Sequence, residues 1–278
     1  MTGRRVRRAL FAAVVALIVG HSLWPFLWQA ITSLKAPAEI FAIPPTLLPT
    51  QPSLEGYTKV FTLRPFVRYV LNSLLVAVGT TILTLGLGAP AAYAVARLRA
   101  RGGELLLRAG LVGALLPPIV FVLPLYEGIR ALGLLNHPLA LIVPYTALNL
   151  PLTLWMLTSF FRQLPSELEE AARIDGFSRV GVLRHIILPL AAPALATAAI
   201  LVAIFSWNEF LLALTFMTAD QWRTVPVGMA MLSGVTEFEV PWDQISAAVV
   251  VTTLPVVLLV LGLQRRIIAG LTAGGIKG

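Results

Sequence analysis

The sequence contains no cysteine, few charged residues and only three histidines among 278 residues. Without thiols the chain forms no disulfide and holds no thiolate-bound metal. His21, His137 and His185 are scattered, without the spacing of a metal site. No Gly-x-x-x-x-Gly-Lys-Ser/Thr motif is present to hold nucleotide phosphates, and no nucleophile is paired with a base. We therefore expect this chain to bind no metal or cofactor and to catalyse no reaction itself.

Charged residues make up 12% of the chain and hydrophobic residues 58%, with a mean hydropathy of +0.85. This composition is typical of a helical protein that crosses the membrane several times. The net charge of +8 would also suit a nucleic-acid-binding protein. The arginines, however, separate apolar runs and do not form one solvated basic face. We therefore expect a lipid membrane, and no nucleic acid, as a partner.

Six apolar runs are each long enough to cross the hydrocarbon core, which takes about 20 helical residues. They cover residues 9–31, 69–96, 105–129, 138–161, 190–217 and 245–263. The first run is long for the apolar part of a signal peptide, and no small-residue cleavage site follows it, so we expect it to remain as a span. Prolines inside the runs predict kinks, because neighbouring helices can bind the freed carbonyls. The prediction is an all-α transmembrane fold in one domain, residues 1–278.

The basic residues are distributed unequally between the two sides that six spans define. Fifteen of the 21 lie on the side of the termini, namely Arg4, Arg5, Arg7, Arg8, Arg97, Arg99, Arg101, Arg108, Arg162, Arg173, Arg179, Arg184, Arg265, Arg266 and Lys277. The remaining six are Lys35, Lys59, Arg64, Arg68, Arg130 and Arg223. Because cytoplasmic loops are rich in Lys and Arg, both termini and the loop 163–189 are predicted to be cytoplasmic.

This loop, residues 163–189, is a charged segment between two apolar runs. Ser166 and Glu169 have the spacing of a capping box and predict a helix, which Gly176 would end in the left-handed conformation. Ser178 is the predicted N-cap of a second helix. The apolar stripe of that helix consists of Val182, Leu183, Ile186 and Ile187. The pattern predicts two short helices at a glycine corner, suited to docking, and the alternative is an amphipathic segment lying on the headgroups.

The same loop matches a known motif in seven positions, which are Glu170, Ala171, Ala172, Gly176, Ile186, Leu188 and Pro189. This pattern resembles the EAA loop in the membrane subunits of ATP-binding-cassette (ABC) importers. Residues 207–214 (WNEFLLAL) and 270–278 (GLTAGGIKG) resemble the second permease subunit of maltose- and trehalose-type sugar importers. The resemblance extends over essentially the whole chain, and the first external loop matches least well.

The resemblance implies the six-helix fold of a type I ABC importer permease, with both termini cytoplasmic, in the cytoplasmic membrane of a bacterium or archaeon. It implies a subunit that forms half of the translocation pathway of an ATP-driven sugar importer. The implied partners are a homologous permease in a heterodimer, two ABC ATPase subunits that bind ATP and Mg, and an extracytoplasmic sugar-binding protein. A disaccharide such as trehalose or maltose is the substrate by analogy, while glycerol phosphate and oligosaccharides stay open.

In this family the corner of the loop sits in a cleft of the ATPase. The resemblance therefore implies an ATPase-coupling role for Glu170, Ala171, Ala172, Asp175, Gly176 and Phe177. The tail, residues 264–278 with Gly274 and Gly275, would reach toward the ATPase. Each role has an alternative. Glu170 would simply be a favourable acid near a helix start, and Ala171 and Ala172 would be present for their helix propensity. The tail would be a frayed terminus.

Two groups of residues are candidates for contact with the substrate or the binding protein. Polar groups at bilayer depth tend to face a pathway and aromatic rings stack on sugars, which selects Asn149, Trp207, Asn208 and Glu209. Their alternative role is hydrogen bonding to neighbouring helices. For the binding protein, the loop 218–243 offers Trp222, Arg223, Phe238 and Trp242, whose alternative is burial against the bundle.

The alternative function is a channel or a secondary carrier that an ion gradient drives. Such a protein would need acidic or histidine relay residues in several spans. Only Glu209 and Glu127 offer groups of this kind. The sequence therefore favours the ABC permease subunit, with ATP hydrolysed by its partners.

Overall fold

The structure is a computed structural model that describes residues 2–98, 100–232 and 240–274. Within these ranges every regular element is a helix, and one isolated bridge joins Lys35 to Pro52. The α-helices are α1 (Thr2–Thr32), α2 (Pro37–Ile40), α3 (Glu55–Leu63), α4 (Phe66–Ala96), α5 (Gly103–Gly113), α6 (Ile119–Ala131), α7 (Leu139–Gln163), α8 (Glu167–Ile174), α9 (Arg179–Val182), α10 (Leu188–Leu190), α11 (Ala192–Asn208), α12 (Leu211–Phe216), α13 (Val225–Ala230) and α14 (Trp242–Gly274). A π-helical segment, Leu183–Ile187, joins α9 to α10. The predicted all-α fold is confirmed.

Four helices in the described part of the chain are long and apolar enough to cross a membrane. Their apolar portions are Val6–Thr32, Phe66–Ala96, Leu139–Gln163 and Trp242–Gln264. Two consecutive segments, Arg179–Leu190 and Ala192–Asn208, pass the same test together but are bent by 79°. The chain is therefore a multi-pass membrane protein, and the bounds of six individual spans stay a prediction.

Two of the predicted apolar runs are interrupted. In the run 105–129, α5 ends at Gly113, ahead of Pro117 and Pro118, which have no N–H group to continue its hydrogen-bond ladder. The run 190–217 is divided between α11 and α12 at Glu209, whose backbone is extended, with φ −67° and ψ 129°. A continuous apolar run thus corresponds to two shorter helices in each case, where the sequence predicted at most a kink.

The chain divides into two compact units. The first comprises residues 1–66 and 229–255, and the second comprises residues 67–228 and 256–278. The loop 163–189 and the helices that carry it belong entirely to the second unit.

In the first unit, α3 packs against the start of α14. Lys59 forms ion pairs with Glu55 at 2.9 Å and with Asp243 at 3.5 Å. The pKa of Lys59 is raised, mainly by its hydrogen bond to Glu55 and also by the negative charge of Asp243. These two effects outweigh burial, which lowers the pKa. Gly56 approaches so closely that a Cβ there would lie 2.6 Å from the Asp243 carbonyl oxygen. The segment between α1 and α4 is therefore attached to α14.

In the second unit, α7 packs against α4, α5 and α11. Small residues allow α4 to approach α7 closely. A Cβ on Gly79 would lie 2.7 Å from Cδ1 of Ile142, and one on Gly88 would lie 3.1 Å from Cγ2 of Thr153. Membrane helices commonly pack through such small residues, because van der Waals contact is their main attraction in lipid. α4 is therefore held against α7 along much of its length.

Candidate functional site

The loop between α7 and α11 turns at Gly176. α8 ends there in a Schellman arrangement, in which the Gly176 N–H donates to Arg173 O at 3.2 Å and the Phe177 N–H donates to Ala172 O at 3.0 Å. Gly176 has a φ of +88°, which a side chain would strain, although no atom lies within 4 Å of the place its Cβ would take. The predicted glycine corner is confirmed, and the requirement for glycine is conformational.

The second helical part of the loop runs from α9 through the π-helical segment to α10. Oγ of Ser178 accepts a hydrogen bond from the Gly181 N–H at 3.2 Å, so the predicted N-cap is confirmed. Phe177 remains near the surface, with its ring 5.9 Å from that of His185. The predicted apolar stripe lies in one core cluster, which includes Val182, Leu183, Ile186 and Ile187. The two-helix loop thus has one face anchored in the protein.

The predicted capping box of Ser166 and Glu169 is wrong. Ser166 has helical backbone angles, and its side chain accepts no capping hydrogen bond. The Glu169 carboxylate instead contacts α4, with Oε1 at 2.9 Å from Nε of Arg97 and Oε2 accepting from the Tyr93 hydroxyl at 3.1 Å. The Arg97 Nε–H does not point at Oε1, so this contact is an ion pair without a hydrogen bond. A guanidinium attracts a carboxylate more strongly than a backbone N–H does, which turns Glu169 toward α4.

Arg97 connects the end of α4 to the loop on both sides of Ser166. Besides pairing with Glu169, it donates from Nη2 to the carbonyl oxygen of Leu164. The side chains of Arg97 and Glu169 are only 13% and 15% exposed. We call Tyr93, Arg97 and Glu169 the α4 clamp. The adjoining core cluster includes Ala89, Ala92, Leu157 and Phe161 of α4 and α7. Because the loop's apolar stripe packs in this cluster, it is not free to lie on headgroups.

Three exposed apolar side chains flank the glycine corner in the chain. Ile174 is 86% exposed, Val180 73% and Phe177 43%, and we call these three residues the corner patch. Exposed apolar side chains grouped on a charged loop are typical of a binding surface. The exposed members of the predicted coupling set are Glu170, Ala171, Asp175, Gly176 and Phe177, whereas Ala172 is buried in the core cluster. The sequence reasoning missed Ile174 and Val180, although both are large apolar residues outside the buried stripe.

Two of the predicted pathway residues make local hydrogen bonds, and a third is buried. The side-chain amides of Asn149 and Asn208 donate to carbonyl oxygens one turn earlier in their own helices, on Tyr145 and Ile204, each at 2.8 Å. Trp207 is buried. These hydrogen bonds keep the amides within α7 and α11, and contact of the three residues with a substrate stays a prediction.

Glu209, the fourth predicted pathway residue, caps α12. Its Oε1 accepts from the Leu212 N–H at 2.9 Å, and its Oε2 accepts from the Ala213 N–H at 3.2 Å and from the Tyr145 hydroxyl. A carboxylate here accepts hydrogen bonds from N–H groups at a helix start and interacts favourably with the positive end of the helix dipole. Glu209 therefore stabilises the break between α11 and α12 and ties it to α7.

The segment that follows α12 is held against the beginning of α4. The Asn72 side-chain amide donates to the carbonyl oxygens of Gln221 and Arg223, at 3.0 and 2.9 Å. The Tyr69 hydroxyl donates to Oδ1 of Asp220 at 2.7 Å. Asp220 also pairs with Arg223, with Nη1 and Oδ1 2.7 Å apart. We call Tyr69, Asn72 and their partners the turn anchor.

The described residues among those predicted to meet a binding protein belong to different units. Trp222 packs partly buried against a core cluster of the second unit, and Arg223 takes part in the turn anchor. Trp242 starts α14 in the first unit and is 43% exposed. Phe238 lies outside the described residues, as does Gly275 of the predicted tail, while Gly274 is the last residue of α14.

One exposed ion pair lies near the loop and differs from the α4 clamp in burial. Nη2 of Arg162, in the last turn of α7, is 2.7 Å from Oε2 of Glu104 at the start of α5, and both side chains are 48% exposed. The hydrogen bond and positive charge of Arg162 lower the pKa of Glu104. In the described part of the chain, no three His, Asp or Glu side chains are grouped so as to hold a metal ion.

Comparison with known proteins identifies relatives over nearly the whole chain. Residues 84–272 match the family described as binding-protein-dependent transport system inner membrane component. The sulfoquinovosyl glycerol transport system permease protein SmoH of Agrobacterium fabrum is 44% identical over 268 residues, which are 96% of this chain and 93% of that protein. The trehalose transport system permease protein SugB of Mycobacterium tuberculosis is 42% identical, covering 98% of this chain and 99% of that protein. The trehalose/maltose transport system permease protein MalG of Thermococcus litoralis is also 42% identical, covering 99% and 98%.

A solved structure shares the fold. It is a chain from a bacterial ABC transporter involved in the import of the acidic polysaccharide alginate, with a TM-score of 0.75 and 23% sequence identity. The alignment covers 95% of this chain and 98% of that chain. The predicted permease fold is therefore confirmed.

Proposed function

The chain belongs to the family of binding-protein-dependent transport system inner membrane components, and from this membership we propose that it is the permease subunit of a carbohydrate importer. The observation that carries the docking part of the proposal is the corner patch, a set of exposed apolar side chains on a loop whose opposite face is buried. We propose that this patch docks on an ABC ATPase. The energy for transport then comes from hydrolysis of ATP, which that ATPase binds together with Mg, because the chain has no P-loop of its own.

Docking at this loop would use three properties of the corner. The corner patch offers Ile174, Phe177 and Val180 for burial in a cleft. Glu170 and Asp175 add carboxylates beside it that suit a basic ATPase surface. Gly176 keeps the turn tight without strain. Ala172, by contrast, supports the loop from inside, so its role is in packing and not in contact with the ATPase.

The proposed assembly contains a second, homologous permease, two ATPase subunits and an extracytoplasmic binding protein. The unequal distribution of Lys and Arg favours cytoplasmic termini and a cytoplasmic corner patch. In this arrangement the chain forms half of the pathway, with the segment 218–225 on the side of the binding protein. The relatives named for trehalose, maltose and sulfoquinovosyl glycerol support a small glycoside as the substrate.

Copurification tests the docking proposal. The chain is co-expressed with its ATPase subunit, and ATPase recovery is measured after detergent purification. We expect Ile174→Asp and Gly176→Val each to lower recovery by about tenfold or more, because a charge or a strained turn is placed at the contact. Gln163→Asp is the matched control, since it adds the same charge at an exposed position of α7 outside the patch. Equal recovery for all variants and the unchanged chain would contradict the proposal.

A second experiment addresses the driving force and the substrate. Proteoliposomes that contain both permeases but no ATPase should show no uptake under an ion gradient, and uptake there would support a secondary carrier instead. Calorimetric titration of the partner binding protein with trehalose, maltose and a glycosyl glycerol then identifies the carbohydrate. Failure to bind any of the three would contradict the proposed substrate class.

A further inference from the structure

α4 is attached to a different loop at each end. Side chains of its first turns make one attachment, and Tyr93 together with Arg97, the residue that directly follows the helix, makes the other. We propose that α4 is a coupling strut, which transmits displacement of the ATPase-docking loop to the segment 220–225, with Arg97 and Asn72 as positioning residues. This inference rests on the proposed function, because it takes the corner patch as the ATPase contact. It adds a route through the protein that docking alone does not require.

At the loop end, the α4 clamp joins the last turns of α4 to the start of α8. Glu169 lies in the same two-turn helix as Ile174 of the corner patch. A push on the patch therefore moves a carboxylate that is in ionic contact with Arg97 at 2.9 Å. Because both side chains are largely shielded from water, this attraction is screened less than a surface ion pair would be.

At the other end, the turn anchor joins the first turns of α4 to the segment after α12. The Asn72 side-chain amide donates to two backbone carbonyl oxygens, on Gln221 and Arg223, and so holds the backbone of the turn itself. One residue further along α4, Oγ of Ser73 accepts from the buried Val225 N–H at 2.8 Å. Axial displacement or rotation of α4 must therefore move the segment 220–225 or break these hydrogen bonds.

Between these attachments α4 is one uninterrupted helix of 31 residues. At 1.5 Å per residue it spans about 46 Å, enough to reach across a membrane. Pro90 lies inside the helix, yet the helix continues through it to Ala96. Close packing of Gly79 and Gly88 holds the middle of the helix against α7. A stiff rod with bound ends is the element that can carry a displacement between two surfaces.

The strut predicts a specific kinetic defect. Loss of the α4 clamp should leave the corner patch exposed and able to bind the ATPase, but displacement of the patch would no longer reach the far segment. ATP hydrolysis would then lose its dependence on the binding protein, and transport would fall. A merely structural role for Arg97 would lower the amount of folded complex, without changing the ratio of transport to hydrolysis in the complex that remains.

The test uses the complete complex in proteoliposomes. ATPase copurification, basal hydrolysis, its stimulation by the substrate-loaded binding protein, and uptake are measured per assembled complex. Arg97→Gln is expected to lower the yield of folded protein. In the complex that does assemble from Arg97→Gln or Asn72→Ala we expect the wild-type ratio of ATPase to permease, with stimulation and uptake lowered about tenfold, within the usual range of coupling between sites. Arg162→Gln, which breaks the exposed pair with Glu104, is the matched control and should behave as wild type.

Two further variants keep the test decisive if Arg97→Gln does not assemble. Arg97→Glu combined with Glu169→Arg restores opposite charges and should recover part of the stimulation. Tyr93→Phe removes only one hydrogen bond of the α4 clamp and should lower stimulation moderately. Stimulation and uptake unchanged in Asn72→Ala and Tyr93→Phe would overturn the strut. Absence of copurification with the unaltered chain would instead overturn the proposed function, so the two failures are distinguishable.

Discussion

The two ends of α4 are held in chemically different ways. At the Arg97 end the contact joins charged side chains, and the partner is a carboxylate 72 positions along the chain, Glu169. At the Asn72 end the side chain binds carbonyl oxygens of the backbone at Gln221 and Arg223. An ionic contact depends on the residue type of both partners. A contact with backbone depends only on the residue in α4 and on the path of the partner segment.

This difference determines which substitutions each end of α4 can tolerate. Neutralising one member of the α4 clamp leaves the other as a shielded, unpaired charge, which costs more than the pair itself contributes. At the turn anchor the partner residues can change freely as long as the turn keeps its shape. We therefore expect the Arg97 end to be the more sensitive of the two.

Arg97→Gln should give the largest effect. Glu169 would keep its charge at 15% exposure without a cation, and the free energy of unfolding should fall by about 3 kcal/mol. The measurement is the thermal unfolding midpoint of the detergent-purified protein. Adding Glu169→Gln to this variant should recover part of the loss, because the unpaired charge disappears. A midpoint equal to that of the unaltered chain would show that the clamp contributes nothing to stability.

Asn72→Ala should give an intermediate effect at the opposite end. Two carbonyl oxygens would lose their donor, and the cost is about 1–2 kcal/mol because water can reach this partly exposed site. The same unfolding measurement applies. If the midpoint falls further than for Arg97→Gln, the order of sensitivity proposed for the two ends is reversed.

Gly79→Ala examines α4 between its ends. The added Cβ would lie 2.7 Å from Cδ1 of Ile142, the far end of a flexible side chain that can rotate away. We expect a loss of about 1 kcal/mol from the repacking. The matched control is Gly86→Ala, where no atom lies within 4 Å of the new Cβ and a small gain in helix stability is expected. Equal midpoints for the two variants would argue against close packing of α4 on α7.

The smallest effect is expected for the exposed pair of Arg162 and Glu104, which serves as the reference for the α4 clamp. Arg162→Gln should leave the unfolding midpoint nearly unchanged near neutral pH. Because Arg162 lowers the pKa of Glu104, any contribution of the pair is present above the ordinary carboxyl pKa and is lost as pH falls through the lowered value. The difference between the unaltered chain and Arg162→Gln, measured across acidic pH, should therefore vanish at the low end. A difference that grows toward low pH would contradict the assigned direction.

The sequence predicted the local features of the loop better than its long-range contacts. Gly176 and Ser178 were identified because a left-handed turn and an N-cap are determined by neighbouring residues. Glu169 was assigned to a capping box, since nothing in the spacing indicates that Arg97 would lie beside it. Only the packing of α4 and α7 brings these two side chains together.

The broken helices also show that the sequence predicts less than the structure contains. Pro117 and Pro118 predicted a kink, and the structure has two separate helices there. Glu209 was noted as a polar residue at bilayer depth, but its contact with the Tyr145 hydroxyl joins it to another helix, which the sequence does not indicate. The class of fold followed from composition and run length, whereas the contacts that join one helix to another depend on neighbours that are distant in sequence.

The most direct test of the account is cross-linking from the corner patch. Because the chain contains no cysteine, an introduced cysteine is the only thiol in it that can react. Ile174→Cys, at an 86% exposed position, is treated with a thiol-to-amine cross-linker in membranes that contain the ATPase subunit. Arg108→Cys, also exposed but on α5, is the control. We predict a permease–ATPase product for Ile174→Cys and little or none for Arg108→Cys. Equal products from both positions, or none from Ile174→Cys, would contradict the corner patch as the ATPase contact.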